Sequence, residues 1–301
     1  MRHHLDIALT AIAPLVWGST YYVTTEFLPT GYPVTMAALR ALPAGLLLLI
    51  LARQLPKGIW WVRAFILGAL NFTLFWVLLF VAAYRLPGGV AATVGAVQPL
   101  IVVFLAAPLL GTAIRVPAVL AALIGFLGVG LLVLGSGILL DPIGLIAGLG
   151  GAASMAAGTV LTRKWQPPVP LLTFTAWQLT AGGLLLVILA ILLEPPLPQL
   201  DTGNLSGILY LGLIGAALTY ILWFRGISRI EAGAVSALGF LSPLSAVLIG
   251  WALLDQALTP TQLTGAGLVL AAIWLGQRAP RIAPSIALKL PTGPQPEGEL
   301  R

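Results

Sequence analysis

Arg85-Leu86-Pro87-Gly88-Gly89-Val90, followed by Gly95 and by Gln98-Pro99-Leu100, returns 144 residues later as Arg229-Ile230-Glu231-Ala232-Gly233-Ala234, Gly239 and Ser242-Pro243-Leu244. Two further pairs keep the same order at slightly smaller offsets. Trp17-Gly18-Ser19-Thr20 precedes Ala157-Gly158-Thr159-Val160 by 140 residues, and the stretch from Leu39-Arg40 to Gly45-Leu46 precedes that from Trp177-Gln178 to Gly183-Leu184 by 138. Any one match is within the reach of chance in so biased a composition. Their common order along the chain marks an internal repeat.

The repeat is written in membrane composition. Of 301 residues, 59% are hydrophobic and 8% charged, against about 25% charged in a soluble domain. A soluble enzyme, a nucleic-acid binder and a disordered chain all fit poorly, despite the formal charge of +6. The absence of cysteine excludes disulfides, thiolate metal sites and cysteine nucleophiles. A membrane helix needs ~20 mostly apolar residues to cross a ~30 Å hydrocarbon core. Ten such runs are read, at 7–27, 34–51, 61–84, 89–109, 117–134, 143–161, 171–193, 205–224, 232–254 and 261–275. The first is retained as a span rather than read as a signal peptide. The expected fold is an all-α membrane protein of ten transmembrane helices. It divides into a five-helix repeat over 1–137, a second over 138–280, and a Pro/Gly-rich disordered cytoplasmic tail over 281–301.

With the N-terminus inside, every basic residue except Arg85 and Arg40 falls in an inner loop or end. That bias predicts a multi-pass inner-membrane protein with both termini cytoplasmic. Trp60, Trp61, Trp165 and Trp274 lie at inner edges, where amphipathic rings anchor to headgroups. Five helices per repeat is an odd number, so the second copy enters the membrane from the opposite side. Inverted repeats are a device of secondary transporters, whose site lies near the midplane where the halves meet. Glycines at small-residue spacing, such as Gly144, Gly148, Ala152 and Ala156, predict close helix packing. Gly125-x-x-Gly128-x-Gly130 follows no strand and is no dinucleotide fingerprint.

Aromatic and polar side chains within the spans are the candidates for a substrate chamber. Trp17, Tyr21, Trp76, Trp177, Tyr220 and Phe240 would hold an apolar body, and Asn71, Gln98, Gln178 and Ser242 would orient polar groups. Packing against lipid or between helices competes with that role at each position. Pro99 and Pro243, at matching mid-span positions, are candidate hinges, since proline frees a carbonyl inside the helix. Arg40 is the basic residue well inside a span, and Gln178 stands at its place in the second half. An unpaired charge there costs ~3 kcal/mol on insertion scales. The expected structural partner is Glu26; the functional alternative is a dock for a substrate carboxylate. No carboxylate is read at mid-membrane, which favours facilitated transport or exchange over a built-in proton relay. No Walker A motif is present, and no metal or cofactor is expected.

Trp17-Gly18-Ser19, the Arg40 helix, Pro99, Pro243 and the ending Leu254-Asp255…Leu258-Thr259…Gln262…Gly265 resemble the EamA repeat of the drug/metabolite transporter superfamily. The resemblance runs over nearly the whole chain, twice. It implies ten helices in a five-plus-five inverted arrangement with both ends cytoplasmic. The chain taken whole, including Pro14-Leu-Val-Trp-Gly-Ser-Thr-Tyr-Tyr22 and Tyr32-Pro-Val-Thr-Met-Ala-Ala-Leu-Arg40, is similar to members that export aromatic amino acids and other hydrophobic compounds. Asp255 supplies the acidic residue that often closes the fourth helix of each repeat, whereas Gly111 stands at that place in the first half. The expected function is export of aromatic or hydrophobic amino acids by alternating access, acting as a monomer in the bilayer on a small molecule, without nucleic acid and without enzymatic activity. Export of another metabolite or drug is the alternative. A membrane-embedded transferase would need clustered carboxylates or histidines to hold a metal.

Overall fold

The computed structural model describes residues 2–85, 94–133, 141–253 and 259–277. The described chain runs as helices α1 (Arg2–Phe27), α2 (Pro33–Ala52), α3 (Trp60–Gly68), α4 (Leu74–Arg85), α5 (Gln98–Leu110), α6 (Val116–Val133) and α7 (Pro142–Lys164). The second part continues as α8 (Leu171–Leu193), α9 (Thr202–Gly212), α10 (Thr219–Arg229), α11 (Ala232–Leu238), α12 (Leu241–Leu253) and α13 (Pro260–Gln277). Two π-helical turns, Ala69–Thr73 and Leu213–Leu218, join α3 to α4 and α9 to α10. Among the described residues, seven helical stretches are long and apolar enough to cross a membrane, namely α1, α2, α3 with α4, α7, α8, α9 with α10, and α11 with α12; α5 and α6 are shorter apolar helices. The outward side chains are those lipid would cover, with Ile146, Ile191 and Leu192 exposed by 71%, 76% and 72%.

Local chemistry sets the helix ends. Pro33, Pro142 and Pro260 open α2, α7 and α13, where a missing N–H costs nothing. Asp141 caps α7 by accepting from the N–H groups of Ile143 (2.8 Å) and Gly144 (3.3 Å). Desolvation there raises its pKa, but those two bonds and the neighbouring Arg85 together outweigh it and hold the carboxyl below its ordinary value. Asp201 and Asn204 form a reciprocal capping box on α9.

The runs expected as the fourth and ninth spans are broken rather than kinked. Residues 96–97 form a turn before α5, and Gly239 and Phe240 form one between α11 and α12. Pro99 and Pro243 therefore sit in the first turns of α5 and α12, where each starts a helix instead of bending one. Residues 86–93, Asp255, the tail at 281–301 and the side chain of Tyr21 lie outside the described residues.

Packing pairs off across the molecule. α2 lies on α8, and α6 on α13. α1 packs on α12 and α10, just as α7 packs on α5 and α4; α3 meets α8 as α9 meets α2. Glycine permits close approach in both of the first two pairs. A Cβ at Gly45 would stand 2.5 Å from the backbone N of Thr180, and one at Gly183 would stand 2.7 Å from Cα of Leu42. Gly128 and Gly265 face each other in the same way, with 2.7 Å between a Cβ at Gly265 and the Gly128 carbonyl oxygen.

Ion pairs tie both ends. On the face that carries the amino terminus, Asp6 of α1 accepts from Arg225 (2.5 Å) and Arg229 (3.4 Å) of α10. On the opposite face, Arg85 at the end of α4 meets Asp141 at the start of α7 (3.2 Å). Trp61 and Trp274 are exposed, as interfacial anchors require. Trp60 and Trp165 instead flank the guanidinium of Arg63 at 4.8 and 5.4 Å.

Candidate functional site

The two π turns organise the interior. A π turn closes i→i+5 bonds, so it widens the helix and leaves carbonyls for other donors. Such turns hold well under 1% of residues in proteins and recur at functional sites. Here they stand 144 residues apart, the offset of the sequence repeat. Side chains take their carbonyls: Ser154 Oγ donates to Leu70 O (2.8 Å), and Gly215 O receives both Arg40 Nη2 (2.6 Å) and Thr219 Oγ1 (2.9 Å).

Around the second π turn the contacts form a continuous polar chain. Trp17 Nε1 donates to Thr219 Oγ1 (3.0 Å), and Thr219 passes its own hydrogen to the Gly215 carbonyl that Arg40 also holds. The Arg40 guanidinium carbon lies 5.1 Å from the centroid of Trp76, within cation–π range. Tyr220 and Tyr210 are its electrostatic neighbours, and Tyr210 shares a 2.7 Å hydrogen bond with Ser19. Aromatic rings close the surroundings. Trp17 sits 5.0 Å from Tyr220 and 5.1 Å from Trp223, while Phe72 sits 4.6 Å from Tyr220 and 5.5 Å from Trp76.

The first π turn carries the counterpart. Asn71 Nδ2 donates to Gln178 Oε1 (2.9 Å) and to Thr162 Oγ1 (3.1 Å), and Thr162 also reaches Gln178 Oε1 at 3.3 Å. Asn71 Oδ1 and Gln178 Nε2 are buried without a protein partner. Asn71 and Gly215 are 144 residues apart; Arg40 and Gln178 are 138 apart. Each half's second helix thus reaches across to the π turn of the other half.

The structure sorts the sequence-derived candidates. Trp17, Trp76, Tyr220 and Arg40 come together at the second π turn, and Asn71 and Gln178 meet at the first. Trp177 does not join them: its Nε1 donates to Gln54 O (2.7 Å) and its ring lies beside Trp60, so it pins the α2–α3 connection. Phe240 packs into the α6–α13 contact, where a Cβ at Gly125 would fall 2.1 Å from its ring. Gln98 and Ser242 lie at the two helix breaks; Gln98 Nε2 is buried without a partner, and Ser242 lies beside Gly18. The expected Glu26–Arg40 ion pair does not form: Glu26 is exposed, and the guanidinium goes to Gly215 O instead. A buried guanidinium near a widened turn finds a backbone carbonyl closer than the exposed carboxylate near the end of α1. Phe72, Thr162 and Thr219 were not singled out from sequence, although Phe72 adjoins Asn71 and Thr219 adjoins Tyr220.

Shallow clefts open towards the amino-terminal face among the described residues. One lies between α5, α6 and α11, bordered by Pro99, Val103, Ala121, Glu231 and Ala237. A second is bordered by Thr162, Gln166, Phe174, Phe224 and Ser228. Phe224 separates the second cleft from Tyr220, whose ring is 5.6 Å away. Thr162 faces this cleft and also bonds Asn71, so the polar cluster begins where the cleft ends.

Known proteins resemble this chain in sequence, and a solved structure resembles it in fold. The model of the EamA-like transporter family matches twice, over residues 5–134 and 142–276. Protein PecM of Dickeya dadantii is 47% identical over 268 residues, covering 88% of this chain and 90% of that protein. The WAT1-related protein At3g02690, chloroplastic, of Arabidopsis thaliana is 31% identical, over 86% of this chain and 66% of its own length. The uncharacterized inner membrane transporter YedA of Escherichia coli K12 is 28% identical over 87% of each. A solved crystal structure at 20% identity superposes with a TM-score of 0.77 over 90% of this chain and 96% of that one, which establishes a shared fold alone. With a family match over both halves and apolar helices of spanning length, this chain is a multi-pass membrane protein that belongs to the EamA-like transporter family.

Proposed function

We propose that the chain is a secondary exporter of the inner membrane. Two inverted five-helix halves, 1–137 and 138–280, exchange conformations and carry aromatic or other hydrophobic amino acids outward by facilitated transport or exchange. Both termini face the cytoplasm. Ten spans make up the bundle, with α5 and α12 as parts of broken fourth and ninth spans and α13 as the tenth. The observation that carries this reading is the exchanged pair of contacts, Arg40 to Gly215 and Gln178 to Asn71, each from one half's second helix to the other half's π turn. Halves that interlock by the same rule in both directions have two equivalent ways to close, and alternating access uses both.

The chemistry of the interior cluster, which would line the chamber once opened, supports the substrate class. Trp17, Phe72, Trp76, Tyr220 and Phe224 form an aromatic wall, suited to a planar apolar side chain. The buried amides of Asn71 and Gln178 retain an unused acceptor and an unused donor for polar groups. Counterflow of labelled phenylalanine into proteoliposomes tests the proposal. Accumulation driven by internal phenylalanine, tryptophan or leucine, and not by internal aspartate or lysine, is the expected result. Counterflow absent for every amino acid would overturn the substrate reading in favour of another metabolite.

A further inference from the structure

Arg40 is more than its hydrogen bond requires. A carbonyl needs one donor, and Gly215 O already has Thr219 Oγ1 besides Arg40. Gln178 at the equivalent place in the second half joins its π turn through a neutral amide. The guanidinium carries five N–H groups in a fixed plane. Nη2 is used, and Nε is sealed from solvent without an acceptor. Among the described residues no carboxylate lies within ion-pairing distance of it. Arg225 and Arg229 have Asp6 as a counter-charge and Arg163 donates to the carbonyls of Ile227 and Ile230, although Arg115 and Arg225 each also leave a buried Nη1 without an acceptor.

Resting on the transport reading above, we infer that Arg40 is the subsite for a carboxylate of the transported molecule, which supplies the counter-charge that the protein lacks there. Trp76 covers one side of the cation, so an incoming oxygen meets the N–H edge, the geometry in which guanidinium and carboxylate match. A single guanidinium supplies one positive charge and fits a monoanion better than a phosphate. Next to it the rings of Tyr220, Trp17 and Phe72 receive the apolar remainder. The site selects against molecules whose only charge is an amine, because a cation beside an unpaired Arg40 is repelled in a medium that screens little.

The test uses the whole chain purified in detergent, with thermal unfolding as the readout, so it does not depend on transport. Three probes are compared at equal concentration: phenylalanine, 3-phenylpropanoate and phenethylamine. Ligands that bind the folded state raise the midpoint. Phenylalanine and 3-phenylpropanoate are expected to raise it by several degrees and phenethylamine not at all; Arg40→Gln is expected to lose the carboxylate shift and Arg40→Lys to keep part of it. A phenethylamine shift equal to that of 3-phenylpropanoate in the native protein, no shift with either carboxylate, or an undiminished carboxylate shift in Arg40→Gln would overturn the inference. The native-protein comparison stands even where Arg40→Gln is not recovered folded. A carboxylate-selective shift without phenylalanine counterflow sustains the Arg40 subsite and overturns the amino-acid reading, whereas counterflow without carboxylate selectivity does the reverse.

Discussion

Gly158 and Asn71 show how one contact sets the interior. A Cβ at Gly158 would stand 2.1 Å from Asn71 Oδ1 and 3.3 Å from its backbone N. Ala at 158 therefore displaces the amide that donates to Gln178 and Thr162. Leaving buried partners unpaired costs ~1–3 kcal/mol, and bonds of this kind inside membranes average nearer ~0.6 kcal/mol, so we expect Gly158→Ala to cost about 1–2 kcal/mol. Asn71→Ala should cost a similar amount, and the double substitution should cost little more than either, because both act through the same amide. Thermal unfolding of the three variants checks this; full additivity would mean that the two residues act independently. The depth of Asn71, Arg40, Trp76 and Tyr220 was legible in the sequence, because position along a span sets depth. The direction of Trp177 and Phe240 was not. A helix apolar on all sides has no polar stripe to say which face turns inward, and both rings face other packing contacts.

At the scale of elements, the π turns were invisible in sequence: neither Ala-Leu-Asn-Phe-Thr nor Leu-Ile-Gly-Ala-Ala-Leu has a composition that demands i→i+5 bonding. Tertiary contacts with Ser154 and Arg40 draw out the carbonyls. The prolines were legible as breaks in helical bonding but not as starts, since the turn that precedes each is made by ordinary residues. Ion pairs centred on Asp6 and on Asp141 link first and third helices of opposite halves, and they differ in exposure. The Asp6–Arg225 side chains are 14% and 19% exposed, those of Asp141–Arg85 33% and 45%. A pair in water contributes ~0–1 kcal/mol, and removing one partner of a more buried pair costs more. Arg225→Gln should thus lower the unfolding midpoint by several degrees and make a cysteine placed at Ser228, beside the second cleft, react faster with a soluble maleimide. Arg85→Gln should leave both nearly unchanged. The opposite ranking would mean that the Asp6 contact does not hold the amino-terminal face together.

For the whole molecule, the apolar runs were enough to read an all-helical membrane chain, and the motifs from Trp17-Gly18-Ser19 to Gly265 were enough to read its family. The packing adds what spacing along a chain cannot carry: which helices touch. Contacts of α1 with α12 and α10 are matched by those of α7 with α5 and α4, a correspondence expected of two halves that differ in orientation and share one plan. An inverted arrangement has a consequence that two halves in parallel orientation would lack. The connection after the second helix and the connection after the seventh would lie on opposite sides of the bilayer. The native chain holds no cysteine, so single cysteines at Lys57, Gln166 and Gln199 report without background. The decisive measurement is labelling of these three variants in intact cells with a membrane-impermeant maleimide. The account predicts that Gln199→Cys is labelled while Lys57→Cys and Gln166→Cys react only after the membrane is opened; labelling of Lys57→Cys and Gln199→Cys from the same side would contradict it.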